Sequence, residues 1–340
     1  FLDNAPMGRG GSLQLPVYDD YQLVYDTALG DDHRLHVLVF GARDRFSIEG
    51  IGVDPSTDPL ITEGGDAELK ITNHKGMAKW TWSPSSSLTQ RLTVGFGPDS
   101  NQFSVGDLRL SNAPFSVYLR DDVYYEPAAT LRLRGGLDGV GQLYRFDLSI
   151  PGGTGTSDDP LAEPESVVLA EAPYVLSVAP WVEADKVLGS LTLPPGLRMD
   201  HHRIWNEGLL GAITSFDPRI AGRWRLGPDL SLKGSVGRFS NGVDPFAAFG
   251  EGNPDEELNI EYAIQSTLGV DYRIRPGLSL SGSVYESELR DLLVSAQGQG
   301  GAMGGGPSMG FLSTGAGANY GLEALLRRDV TDSGFFGWVS

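Results

Sequence analysis

A chain cannot alternate apolar and polar residues at period two over long stretches and still bury an apolar stripe as a helix. This chain does so repeatedly. In "DLSLKGSVG" (229–237), Leu230, Leu232 and Val236 alternate with Ser231, Lys233 and Ser235. In "GLSLSGSVY" (277–285), Leu278, Leu280 and Val284 alternate with Ser279, Ser281 and Ser283. "TLGVDYRI" (267–274) and "LYRFDLSI" (143–150) carry the same pattern. Each stretch predicts a strand with one apolar and one polar face. Helix signals are nearly absent, because Gly and Pro interrupt almost every window of helical length.

The connections come in two kinds that take turns. Short ones hold Pro, Gly, Ser or Asp: "GDD" (30–32), "SPSSS" (83–87), "EPAA" (126–129), "EADK" (183–186), "GPD" (227–229), "RPG" (275–277) and "TDSG" (331–334). Between them lie longer polar stretches, at 49–66, 151–166, 240–257 and 296–310. Soluble sandwiches and propellers do not require such alternation. Outer-membrane barrels do, with tight periplasmic turns on one rim and long external loops on the other. The expected fold is therefore all-β: an antiparallel up-and-down transmembrane β-barrel.

Aromatic placement supports the same reading. Trp224 lies four residues before Pro228, Tyr272 four before Pro276, Trp181 four before Asp185, Trp80 four before Pro84 and Tyr124 three before Pro127. Four residues of a tilted strand climb only ~9 Å above the turn, about headgroup depth. These five residues are the expected aromatic girdle.

Charge and composition remove whole classes of function. A formal net charge of -18 argues against a nucleic-acid partner, which needs a basic surface. There is no cysteine, hence no disulfide framework and no thiolate metal site. The longest apolar run, "LHVLVF" (35–40), is far too short for a membrane-spanning helix. The chain opens "FLDNAPMGRGG" without a secretory leader and closes on "GFFGWVS", which reads as an internal piece of a longer protein.

One enzyme signature occurs. "GPSMG" (306–310) matches G-x-S-x-G, with Ser308 at the nucleophile position. That motif needs a strand before it and a helix after it. Here "SAQGQGGAMGGG" precedes it and "GFLSTGAGANYG" follows, both rich in glycine. All the histidines, His33, His36, His74, His201 and His202, precede Ser308, against the Ser, acid, His order of that fold. The stretch reads as a long loop, and no enzyme activity and no cofactor are expected.

Taken together, "PGLRMDHH" (195–202), "FDPRIAGRWRLGPDLSLKGSVGRF" (216–239), "NPDEELNIEYAIQSTLGVDYRIRPGLSLSGSVYESELRDLLV" (253–294) and "YGLEALLRRD" (320–329) resemble the C-terminal half of TonB-dependent outer-membrane receptors. "PVYDDYQLVYDTALGDDHRLHVLVFGARD" (16–44) resembles an earlier strand pair of the same barrels. The resemblance implies a barrel of about 22 strands, a plug domain of the same polypeptide, a segment that binds TonB, and a location in the bacterial outer membrane. Turn signals here mark only about 14 strands. Residues 1–340 then form a partial barrel, with the plug and the last strands outside it. Such an open piece exposes strand edges that closure removes.

The resemblance transfers no ligand-binding residue. From the residues themselves, Arg132, Arg134, Arg145, Lys233, Asp271 and Arg273 fall on polar strand faces and are expected to line the lumen. His201 and His202 are the metal-ligand candidates, but neighbours on a strand point to opposite faces. The acidic stretches "SDDPLAEPE" (157–165) and "GNPDEELNIE" (252–261) read as solvated external loops. The implied function is active uptake of a scarce small molecule (a chelated metal, a vitamin or a glycan) across the outer-membrane lipid. The alternative is a passive porin or adhesin-like barrel without energy coupling.

Overall fold

A computed structural model describes residues 5–7, 11–51, 65–106, 108–150, 167–206, 209–242, 259–295, 311–330 and 334–340. The elements are β1 (Ala5–Met7), β2 (Gly11–Leu13), β3 (Val17–Ala28), β4 (His33–Ile51), β5 (Gly65–Ser85), β6 (Leu88–Val105), β7 (Leu108–Asn112), β8 (Phe115–Ala128), β9 (Leu131–Leu143) and β10 (Phe146–Ile150). They continue as β11 (Val167–Glu171), β12 (Tyr174–Leu188), β13 (Leu191–Leu193), β14 (Pro195–Trp205), β15 (Leu209–Arg225), β16 (Leu230–Ser240), β17 (Tyr262–Arg275), β18 (Leu278–Ser295), β19 (Phe311–Arg328) and β20 (Gly337–Val339). "GPSMG" and the stretch 157–165 lie outside the described residues, as do 252–258 of the second acidic stretch.

The topology is up-and-down. Antiparallel ladders join β3 to β4, β4 to β5, β5 to β6, β6 to β8, β8 to β9 and β9 to β12. They go on from β12 to β13 and β14, then through β15, β16, β17, β18 and β19 to β20. With β13 and β14 counted as one interrupted strand, this walk meets β20 as the fourteenth strand, as the turn signals suggested. Among the described residues β3 pairs only with β4, and β20 only with β19, so no ladder closes the walk from its last strand to its first.

Short connections sit on one rim. Leu188 pairs with Leu191, and Arg275 with Leu278, so Gly189–Ser190 and Pro276–Gly277 close two-residue hairpins. Gly189 and Gly277 adopt φ of 63° and 76°, a region an L side chain resists. On the opposite rim the strands run long. β4, β5 and β6 have 19, 21 and 18 residues, beyond the ~9–11 that cross a bilayer. There β7, β10 and β11 extend the sheet as a further antiparallel unit.

One expected turn is corrected. "EADK" (183–186) lies inside β12, where Glu183, Ala184, Asp185 and Lys186 pair with β9. The chain turns at Gly189–Ser190 instead. Asp favours turns, but Glu183 and Asp185 are here alternate residues of a strand whose polar face is ionic. Likewise β5 continues through Ser85 and β8 through Ala128. The distance from each aromatic to its turn is therefore not constant.

The sheet has almost no apolar core. Buried apolar side chains among the described residues are few, Val175, Ala179 and Ile204 being examples. Large apolar residues instead stand out on one face, such as Leu268 at 63% and Leu322 at 76% exposure. A water-soluble protein does not present such a surface across a whole sheet; a wall facing lipid does.

The two faces of the wall

Cross-strand partners share a face, so the register sorts every side chain. Leu268, Val284 and Leu322 stand opposite one another on β17, β18 and β19. Trp224 pairs with Leu232, and Tyr272 with Leu230 and Leu280, on the same apolar face. Trp80 pairs with Leu35 and Leu92 and belongs there too. Tyr124 does not, because it stands opposite Arg134 on the ionic face. Trp181 is also on the ionic face, opposite Gly136 and Arg198. A Cβ on Gly136 would come within 2.8 Å of the Trp181 indole Nε1, so glycine there makes room for the ring. The apolar neighbour of Tyr124 is Tyr125, which pairs with Leu88 and Leu133.

A second row of aromatics stands on the apolar face nearer the long-connection rim. It includes Tyr21, Phe96, Phe115, Tyr174, Phe216 and Tyr320, all substantially exposed. No regular offset from a short turn marks them in the sequence. They become a row only once the strands are placed in register.

The opposite face is ionic. On β8, the Arg120 Nε donates to both oxygens of Asp122 at 3.0 Å. Arg120 also lies 3.7 Å from Asp138 on β9. Asp138 accepts in turn from Arg198 Nη1 on β14. Arg198 holds Asp200 through Nε at 2.9 Å and Nη2 at 2.9 Å. Arg134 donates to Asp185 at 2.8 Å and to Glu183, and Glu183 also accepts from Arg219 on β15 at 3.2 Å. This belt crosses β8, β9, β12, β14 and β15. Charge-assisted bonds of this kind are short and directional, which holds each side chain in place.

A smaller cluster follows on β15, β16 and β17. Asp271 accepts from Lys233 Nζ at 2.9 Å and pairs with Arg223 at 3.1 Å. Arg273, on the same face, clamps the short turn by bonding Asp229 at 2.6 Å and the Pro228 carbonyl at 3.0 Å. Arg132 pairs with Glu126 at 3.0 Å beside its own turn. Arg145 stands apart, exposed between β9 and β10 at the far rim.

The adjacent histidines separate. His202 is buried on the ionic face, its Nδ1 2.7 Å from Ser177 Oγ. His201 faces the other way, its Nδ1 2.7 Å from Thr214 Oγ1, and its Nε2 accepts from Arg203 Nε at 3.0 Å. The two rings do not converge on a common point. Among the described residues no group of three or more His, Asp or Glu is arranged to hold a metal ion.

Most of the belt was missed in the sequence, although a signal was there. Arg120 and Asp122, Glu183 and Asp185, and Arg198 and Asp200 are each two residues apart, so each pair shares a face. What the sequence lacked was the register that brings Asp138 to Arg198 and Arg134 to Glu183.

The family model described as "TonB dependent receptor-like, beta-barrel" matches residues 16–339. No curated protein matches the chain. The fold is similar to the FrpB iron transporter from Neisseria meningitidis in its apoprotein form, with a TM-score of 0.68, 15% identity, and coverage of 95% of this chain and 51% of that one. It is similar to the copper transporter OprC, with a TM-score of 0.70, 12% identity, and coverage of 96% and 52%. It is also similar to the ferric citrate transporter FecA in its unliganded form, with a TM-score of 0.66, 12% identity, and coverage of 94% and 48%. The chain spans about half the length of these structures. At such identities the likeness shows the fold, and the family model supplies the kinship. An apolar face with two aromatic rows, an ionic face, and a match along nearly all of the chain lead to one conclusion: this chain belongs to the TonB-dependent receptor-like β-barrel family, whose members sit in the bacterial outer membrane.

Proposed function

We propose that this chain is the barrel wall of an active outer-membrane transporter that takes up a scarce solute: a chelated metal, a vitamin or a glycan. The family match over residues 16–339 carries this reading. Within it, residues 1–340 are one partial barrel domain, and a plug domain of the same polypeptide gates the lumen when TonB engages it. The ionic belt on β8, β9, β12, β14 and β15 is the surface on which that plug rests. A belt whose charges already pair with one another can meet a polar domain by exchanging partners, without stranding a charge. Arg132, Arg134, Lys233, Asp271 and Arg273 act as lumen-wall residues, and the Trp80, Trp224 and Tyr272 rings anchor the periplasmic side of the band. The chain itself carries out no bond-making chemistry.

The similar structures are described as an iron transporter, a copper transporter and a ferric citrate transporter. These make chelated metal the first solute class to test. In the source bacterium, loss of the full-length protein should impair growth when one such solute is scarce. Restoring the protein in cells without TonB should not rescue that growth. Rescue independent of TonB would sink the active-transport reading and leave a passive or adhesive barrel.

A further inference from the structure

At the rim of short connections, three strands end on the same kind of residue. β15 closes on "RWR" (223–225), β17 on "RIR" (273–275) and β19 on "LRR" (326–328). Arg223 stands opposite Lys233, Arg225 opposite Ser231, and Arg273 and Arg327 both opposite Ser279, so these four share the ionic face. Few acids stand beside them. Arg273 holds Asp229 at 2.6 Å, Arg327 holds Asp329 at 2.8 Å, and Arg223 shares Asp271 with Lys233. The rim along β15–β19 is therefore basic among the described residues, in a chain whose formal net charge is -18.

Among the described residues, the side chains of Arg225 and Arg275 make no hydrogen bond or ion pair. Arg225 also lines a pocket of about 360 Å³, together with Thr130, Arg132, Thr192 and Arg223. Asp185 reaches the same pocket, but Arg134 holds it at 2.8 Å. An unpaired guanidinium with hydroxyls and further arginines around it is suited to receive a carboxylate. Short connections mark the periplasmic rim of such a barrel, so the pocket opens toward the periplasm. Headgroups of the inner leaflet approach from the apolar face, where Trp224 and Tyr272 stand, and not from the ionic face that carries the pocket.

We propose that this rim docks on the cell-wall polymer beneath the outer membrane, the pocket and the arginine row taking the carboxylates of its peptide stems. Peptidoglycan presents carboxylates at a repeat along an extended mesh, and the arginines are spread over neighbouring strands. Each exposed pair is weak by itself. Several engaged at once act together, because after the first contact the others form within one complex. The negative net charge of the chain does not prevent the contact, since charges farther off than a Debye length of ~8 Å are screened. The docking holds the mouth of the barrel against the wall, whatever solute the barrel passes.

The test uses the full-length protein in nanodiscs of zwitterionic lipid, sedimented with isolated peptidoglycan sacculi. The parent should sediment with native sacculi and not with sacculi whose stem carboxylates have been amidated. R225Q/R275Q removes the two arginines without partners and should lower the sedimented fraction at least about threefold, the scale of two exposed charge pairs. R43Q/K70Q removes two cations from β4 and β5, beyond the apolar band on the opposite rim, and should match the parent. Heat-modifiable gel mobility reports that each barrel is folded. If R225Q/R275Q does not fold, R225Q and R275Q are read singly, and each should lose part of the binding. Equal sedimentation of R225Q/R275Q and the parent overturns the proposal, as does equal binding of amidated sacculi. A lower unfolding temperature of R225Q/R275Q with undiminished sedimentation would assign these arginines to an acidic group of the same polypeptide and overturn the docking.

Discussion

The two faces of this wall come from the same strands, yet they obey opposite rules. On β17, Leu268 is 63% exposed and bonds to nothing, whereas Asp271, three residues on, is held by Lys233 and Arg223. Toward lipid, an apolar side chain is satisfied by being exposed and a charge is costly. Toward the lumen, charges are tolerated because partners from neighbouring strands saturate them. The contrast shows that burial is the wrong measure of a residue's role in this protein. What matters is the medium each face meets.

The largest effect expected from breaking this contrast is a charge placed in the apolar band. Leu268→Arg should destabilise the full-length protein by about 2–4 kcal/mol near the middle of the band. Thr267→Arg, one residue away on the ionic face, should cost under ~1 kcal/mol. Denaturant titration of protein folded into lipid vesicles would compare them. Equal costs would mean that the faces are assigned wrongly.

Next comes a break within the belt. Arg198 is the link between Asp138 and Asp200, with its side chain 30% exposed. Arg198→Ala leaves two carboxylates without that link. It should cost about 1–2 kcal/mol, less than a fully buried pair because solvent screens part of the charge. A double-mutant cycle with Asp138→Ala in the same titration should show positive coupling. Strict additivity would reduce the belt to independent surface pairs.

An exception within the apolar band sharpens the comparison. Asp121 stands in it, opposite Leu92 and Leu137, and Gln90 Nε2 donates to its oxygens at 2.9 and 3.1 Å. Replacing both partners in D121L/Q90L should be neutral or stabilising by up to about 1 kcal/mol, since no polar group is left behind. Asp122→Leu, one residue away on the ionic face, takes from Arg120 its 3.0 Å partner, leaves only Asp138 at 3.7 Å, and should destabilise. If D121L/Q90L is the worse variant, the Asp121 and Gln90 pair is a contact surface and not a tolerated exception.

The smallest effect is expected at the rim. Arg273 is 54% exposed where it clamps Asp229 and the Pro228 carbonyl. Arg273→Ala should cost only about 0.2–1 kcal/mol, and raised salt should shrink the difference. Equilibrium unfolding at two salt concentrations would measure it. A loss as large as that of Arg198→Ala would give the turn a folding role that its exposure does not suggest.

The sequence by itself determined the strands, their up-and-down order and the apolar character of one face. Those follow from alternation at period two and from turn residues, both local properties of the chain. "GLSLSGSVY" can form only one kind of strand, whatever its neighbours do. Only the tertiary structure decided which aromatics meet lipid, where β12 ends, and which carboxylate each arginine holds. Trp181 and Tyr124 show why. A side chain's face flips with a shift of a single residue, and the place where a strand turns was known from sequence only to within a few. Register belongs to pairs of strands, so Arg198 could find Asp138, 60 residues away, only after β9, β12 and β14 were set side by side.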